Sequence, residues 1–121
     1  MSKSTKSLKI PNSISGTPLL VLFDLLGKRW TMRILWEMRF GAIHFRALQD
    51  KGGGISPTML NRRLKELQEH KLVALSEDGY YFTELGQSLF EVMLPLADWA
   101  QHWADGLESA EETIQKFENK K

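Results

Sequence analysis

Thr58, Asn61, Arg62 and Lys65 sit close together in the stretch from Gly54 to Val73. Asn61 carries an amide that donates and accepts side by side, Arg62 a planar guanidinium with five donors, and Lys65 a point charge. These groups match the edges of nucleotide bases and the oxygens of phosphates. Bond-making chemistry has less to work with. His44, His70 and His102 are scattered, with no paired acid and no second ligand at metal spacing, so no metal site is expected. No Ser-His-Asp grouping has a motif around it. The absence of cysteine excludes disulfides, Cys-ligated zinc and thiol redox sensing. Gly52-Gly53-Gly54 is not followed by Lys-Ser or Lys-Thr and follows no strand, so it reads as a turn between helices, not a phosphate cradle. No catalytic residue and no cofactor is expected.

Positioning those four side chains requires a helix, and its start is firmly marked. Ser56 can cap the first turn, and Pro57 occupies the first helical position, where a missing N–H costs nothing. Leu60, Leu64 and Leu67 recur at spacings of four and three, which turns one stripe inward and leaves Thr58, Asn61, Arg62 and Lys65 around the opposite side. Arg63 lies beside the apolar stripe, and pairing with an acid of its own domain is the expectation for it.

Before this helix, residues 1–16 are rich in Ser and Lys and read as a mobile arm. Thr17-Pro18 opens a helix that is apolar almost all round, through Leu19, Leu22, Phe23 and Leu26, so it must be buried on most sides, in its own core or against a partner subunit. After Gly27, Lys28 to Phe40 reads as a second helix with Trp30, Ile34, Leu35 and Met38 inside. Ala42 to His44 can supply a short edge strand, and Phe45 to Lys51 a short third helix. After the capped helix, Leu72–Ser76 and Tyr80–Thr83 are β-prone runs separated by Glu77-Asp78-Gly79, a strong hairpin signal. Thr83 then caps a long helix, with a kink or break expected near Pro95, a pause at Asp105-Gly106 and a last helix over Ala110–Phe117 behind the capping-box pair Ser109 and Glu112.

Charge is segregated along this order. Lys28 to Lys71 holds ten basic and four acidic residues, a net of +6, whereas Glu77 to the end holds ten acidic and three basic, a net of −7. A basic middle attracts polyanions, and an acidic segment is pushed away from them. Charge runs also arise simply by solvating helix faces, so the helix context decides.

Helix, helix, short strand, helix, turn, capped basic helix, hairpin, long helix is the winged helix-turn-helix order: mainly α with a small β-hairpin. Within it, Gly27-Lys28-Arg29-Trp30 with Ile34-Leu35, then Phe45 and Leu48, Gly54 to Leu60, Arg63-Leu64 through Leu67, Leu72-Val73, and Tyr80 leading into Thr83-Glu84-Leu85-Gly86 resemble the HxlR-type transcriptional regulators. The resemblance covers roughly Pro18 to Trp103. It implies a prokaryotic regulator that represses or activates transcription as a homodimer, with its N- and C-terminal helices forming the dimer interface, on an inverted-repeat operator in double-stranded DNA. Leu19, Leu22, Phe23, Leu96, Trp99 and Trp103 are the expected interface residues. Thr58, Asn61 and Arg62 are the expected base readers, with Arg29, Arg46, Ser56 and Lys65 on the DNA backbone. Two departures stand out. Thr17-Pro18 occupies the point where many members carry a cysteine, and the wing is cut to Ser76-Glu77-Asp78-Gly79 with an acidic tip.

The organisation expected is therefore an arm over 1–16, a winged helix-turn-helix domain with dimerisation helices over 17–105, and an acidic C-terminal extension over 106–121 that includes the last helix. The partners expected are DNA, a second copy and an unidentified small-molecule inducer. No run is long and apolar enough for a signal peptide or a membrane span, so a cytoplasmic location is expected. The competing reading is a winged-helix protein-interaction module without specific DNA binding. Such a module should carry apolar anchors on the outward face of the capped helix, where this chain has Thr58, Asn61, Arg62 and Lys65.

Overall fold

The computed structural model describes residues 17–119, and the arm expected over 1–16 lies outside them. Among the described residues, five helices and one hairpin follow in order: α1 Pro18–Leu26, α2 Thr31–Glu37, α3 Phe45–Lys51, α4 Pro57–Glu69, β1 Val73–Ser76, β2 Gly79–Phe82 and α5 Glu84–Asn119. The chain forms two compact units that meet between Ser88 and Leu89. No helix among the described residues is long and apolar enough to cross a membrane.

In the first unit, the core gathers one or more side chains from every element up to the hairpin. Val21 and Leu25 of α1, Ile34 and Leu35 of α2, Leu48 of α3, Leu60, Leu64 and Leu67 of α4, and Val73 of β1 are all buried. The near-continuous apolar run of α1 therefore overstates its burial. Only one of its faces is covered, and Leu19 and Phe23 each remain 56% exposed.

The second helix starts three residues later than its apolar pattern indicates. Gly27 to Trp30 form a turn, and Trp30 takes a left-handed conformation with φ of 81°. A tight reversal between α1 and α2 forces one residue into that region, and a side chain with a Cβ pays about 1–3 kcal/mol there. Packing from neighbouring elements must hold it. The helix also ends early, at Glu37, with Met38–Phe40 in a turn before Gly41.

Between α3 and α4, Gly53 and Gly54 adopt φ of 73° and 98°, a reversal that side chains with a Cβ make only with strain. Ser56 accepts from the Met59 N–H at 3.1 Å, the cap expected of it, and Pro57 follows. The hairpin pairs Val73 with Phe82 through Ser76 with Gly79, leaving Glu77 and Asp78 as its two-residue loop. Ile43 adds one antiparallel rung beside Tyr80, so the short edge strand expected over 42–44 is reduced to a single bridge.

Thr83 caps α5: its hydroxyl accepts from the Gly86 N–H at 3.1 Å and donates to the Lys71 carbonyl at 2.6 Å. The helix then runs unbroken through Pro95 and through Asp105-Gly106 to Asn119, which corrects the expected break, pause and separate last helix. A single glycine costs a helix only about 1 kcal/mol, too little to stop one whose neighbours favour it. Gln101 donates to Asp105 at 2.9 Å across one turn, and the Thr113 hydroxyl bonds the Ser109 carbonyl at 3.0 Å, so Ser109 sits inside the ladder.

Candidate nucleic-acid interface

The inward stripe of α4 is fully sequestered: Leu60, Leu64 and Leu67 show no exposed surface. This fixes the helix's rotation and turns the opposite face to solvent. Thr58, Asn61, Arg62 and Lys65 are all exposed there, and together with Glu66 and Glu69 they line one shallow open depression. Among the described residues, neither Arg62 nor Lys65 takes part in an ion pair, so both cations remain available to an external anion. Ser56 is exposed at the N-terminal end of the same helix, where unpaired N–H groups and the helix dipole favour negative charge.

Arg29 lies exposed in the turn before α2, its guanidinium 5.0 Å from the centre of the Trp30 ring. Arg46 is exposed one residue into α3. The tip of the hairpin presents Glu77 and Asp78 to solvent.

Arg33, Arg39, Arg63 and Lys28 are engaged internally. Arg33 donates to Glu37 at 2.8 Å and to the Lys51 carbonyl at 2.9 Å, bracing α2 against the end of α3. Arg39 stacks 4.3 Å from the Trp36 ring and 4.4 Å from the Phe40 ring while donating to the Trp36 carbonyl. Arg63 pairs with Glu66 at 2.9 Å, the domain acid expected for it, and its Nε donates to the Arg29 carbonyl at 2.9 Å. Glu66 also accepts from Lys28 at 3.1 Å. The sequence does not mark Glu66 and Lys28 as partners. The spacing of three between Arg63 and Glu66 is a local signal, but nothing in the sequence relates Lys28 to a residue 38 positions away.

Each unit turns apolar side chains to solvent. In the first unit, α1 exposes Leu19 and Phe23, with Leu22 half-buried beside them. In the second, α5 exposes Leu96, Trp99 and Trp103, the two tryptophans at 57% and 54%, with their rings stacked at 6.1 Å between centres and 9° between planes. The stripe continues through Leu107, Ile114 and Phe117, farther than the six interface residues expected from sequence. No cluster of His, Cys, Asp or Glu among the described residues is arranged to hold a metal ion.

The chain is similar to known transcriptional regulators. An uncharacterized HTH-type transcriptional regulator from Methanocaldococcus jannaschii is 32% identical over 88 residues, covering 69% of this chain and 83% of its own length. The HTH-type transcriptional regulator YodB from Bacillus subtilis is 33% identical over 90 residues, covering 69% and 80%. The crystal structure of quinone-bound YodB superposes with a TM-score of 0.65 over 70% of this chain and 97% of that one. A MarR-family regulator from Enterococcus faecalis, 19% identical with a TM-score of 0.65, shares the fold. Residues 25–108 match the HxlR-like helix-turn-helix family, and the chain, most of whose length lies within that match, belongs to it.

Proposed function

We propose that this transcriptional regulator of the helix-turn-helix type acts in the cytoplasm as a homodimer that reads an inverted-repeat operator with α4. The observation that carries the reading is the outward face of α4: an amide, a guanidinium, an ammonium and a hydroxyl, with both cations free of ion pairs among the described residues. With the first turns of α4 in the major groove, Arg62 bonds a guanine edge bidentately, Asn61 does the same for adenine, and Thr58 contacts a neighbouring base. Lys65, Arg46, Arg29 and Ser56 take phosphate oxygens and fix register without reading sequence. The Glu77-Asp78 tip repels phosphate, so the wing contributes little.

Two-fold symmetry would present two such helices to successive major grooves about 34–36 Å apart. The α5 stripe supports self-association because its spacing is symmetric about Trp103. Trp99 and Leu107, Leu96 and Ala110, and Val92 and Ile114 lie four, seven and eleven residues to either side. Two copies crossing antiparallel at Trp103 set apolar against apolar along the whole stripe, the self-complementarity an isologous contact needs. The exposed Leu19 and Phe23 offer further surface to the same partner.

YodB has been solved bound to a quinone. A small-molecule inducer of this chain would have to act without thiol chemistry, since the chain has no cysteine.

The test is selection of bound duplexes from a randomised library, followed by Arg62→Ala on the selected site. The variant should lose discrimination at one base pair per half-site, worth about 1–3 kcal/mol, while keeping its sensitivity to salt. Unchanged affinity for the selected site would remove Arg62 from the bases and α4 from the groove.

A further inference from the structure

Arg62 and Arg63 are neighbours of the same type with opposite fates. Arg62 is free at the surface, whereas the side chain of Arg63 is 11% exposed and held at both ends, to the Arg29 carbonyl and to Glu66. The side chain of Glu66 is 15% exposed and uses each carboxylate oxygen on a different cation: Oε1 accepts from Arg63 and Oε2 from Lys28. The Arg63–Glu66 pair lies within α4, while the bonds to the Arg29 carbonyl and to Lys28 run from α4 to the turn at Lys28–Trp30. That turn contains the left-handed Trp30 and carries the exposed Arg29. Glu66 also lines the same depression as Thr58, Asn61, Arg62 and Lys65.

Two consequences follow from this arrangement. The buried leucines set the rotation of α4, and a carboxylate that also bonds Lys28 ties the turn bearing Arg29 to it, fixing the offset between a phosphate contact and the base-reading side chains. The same carboxylate neutralises two cations, Arg63 next to Arg62 on α4 and Lys28 next to Arg29 in the turn. Left free, Lys28 and Arg63 would add sequence-blind attraction to any phosphate backbone.

We propose that Glu66 is the positioning residue that sets the specificity of the DNA interface, orienting α4 against the Lys28–Trp30 turn and withholding Lys28 and Arg63 from phosphate. The proposal rests on α4 being the DNA reader. A carboxylate that served stability alone would, when lost, lower the melting temperature and reduce all binding alike. One that sets specificity changes the ratio between cognate and unrelated DNA.

The experiment measures affinity of the full chain for a duplex selected by the wild-type protein and for a scrambled duplex of equal length, each across a salt series. Glu66→Gln should bind the scrambled duplex more tightly and steepen its log K against log salt by about 1–2, since each freed cation adds roughly 0.9. The ratio of selected to scrambled affinity should fall about tenfold, the order of one lost base contact. Arg63→Lys keeps the charge but cannot bridge Glu66 and the Arg29 carbonyl together. It should lower the ratio without steepening the slope, and it serves as the test should Glu66→Gln fail to fold. A ratio within about twofold of wild type in the folded variants overturns the proposal, whatever happens to the melting temperature. Failure of the wild-type protein to discriminate at all would overturn the DNA reading itself, and that outcome is visible before any variant is made.

Discussion

Thr31 is fully buried at the start of α2, and its hydroxyl has no hydrogen-bond partner among the described residues. A buried hydroxyl without a partner forfeits its bonds to water and gains nothing in return. Thr31→Val keeps the β-branched shape and removes the orphan, so it should raise unfolding free energy by about 1 kcal/mol, read from the denaturant midpoint. Gly86 is the opposite case. A Cβ there would overlap the Leu72 carbonyl oxygen, because the first turn of α5 lies directly against the chain entering β1. Gly86→Ala should therefore cost about 1–3 kcal/mol despite alanine's better helix propensity, visible as a lower melting temperature. The contrast between Arg62 and Arg63 could be read from sequence, because one step around a helix moves a residue from the polar face to the edge of the apolar stripe. The left-handed Trp30 could not. Its conformation answers to a three-dimensional reversal between two helices and to packing from residues remote in sequence.

Helix α4 depends on its first turn. Ser56 satisfies one N–H that would otherwise lack a partner, so Ser56→Ala should cost about 1 kcal/mol of stability in chemical denaturation. With Ser56 on a phosphate as well, the same variant should weaken DNA binding evenly across sequences, since a backbone contact reads no bases. Loss confined to one sequence would instead make Ser56 a base contact. Elements with strong local punctuation were legible: α3 spans the Phe45–Lys51 expected from its apolar pair and the glycines behind it, and Ser56-Pro57 marks the start of α4. Elements whose limits depend on tertiary geometry were not. The α2 pattern runs on through residues that the structure folds into turns, and the breaks expected in α5 assumed that Pro95 and Gly106 outweigh the good helix formers around them. The candidate site was legible as a face, because periodicity reports which side of a helix is outward. The Glu66 clamp was hidden because its far end, Lys28, comes from another element.

The molecule as a whole pairs a basic middle with an acidic, apolar-striped helix that exposes stacked tryptophans to solvent. A 36-residue helix with an uncovered stripe is costly in water, and helix stability ordinarily comes from packing such a face. In the proposed homodimer, a second copy crossing antiparallel at Trp103 would supply that packing and place Trp103 on the two-fold axis, where one substitution acts twice. Trp103→Glu would bring two carboxylates face to face in an apolar seam. An aromatic anchor at the centre of an interface is worth about 2 kcal/mol or more, and the axis doubles this, so the dimer dissociation constant should rise roughly a thousandfold or beyond. Sedimentation should then report a monomer, and the fluorescence of Trp99 should shift to the red as its ring becomes hydrated. Trp103→Leu should remain dimeric. The monomer retains one intact α4 and should still favour the selected half-site, but it loses the effective concentration that tethers the second reader, a factor of about 10²–10⁴ in operator affinity. A Trp103→Glu protein that sediments as a dimer would move the self-association away from α5 and leave the exposed face of α1 as the surface to test.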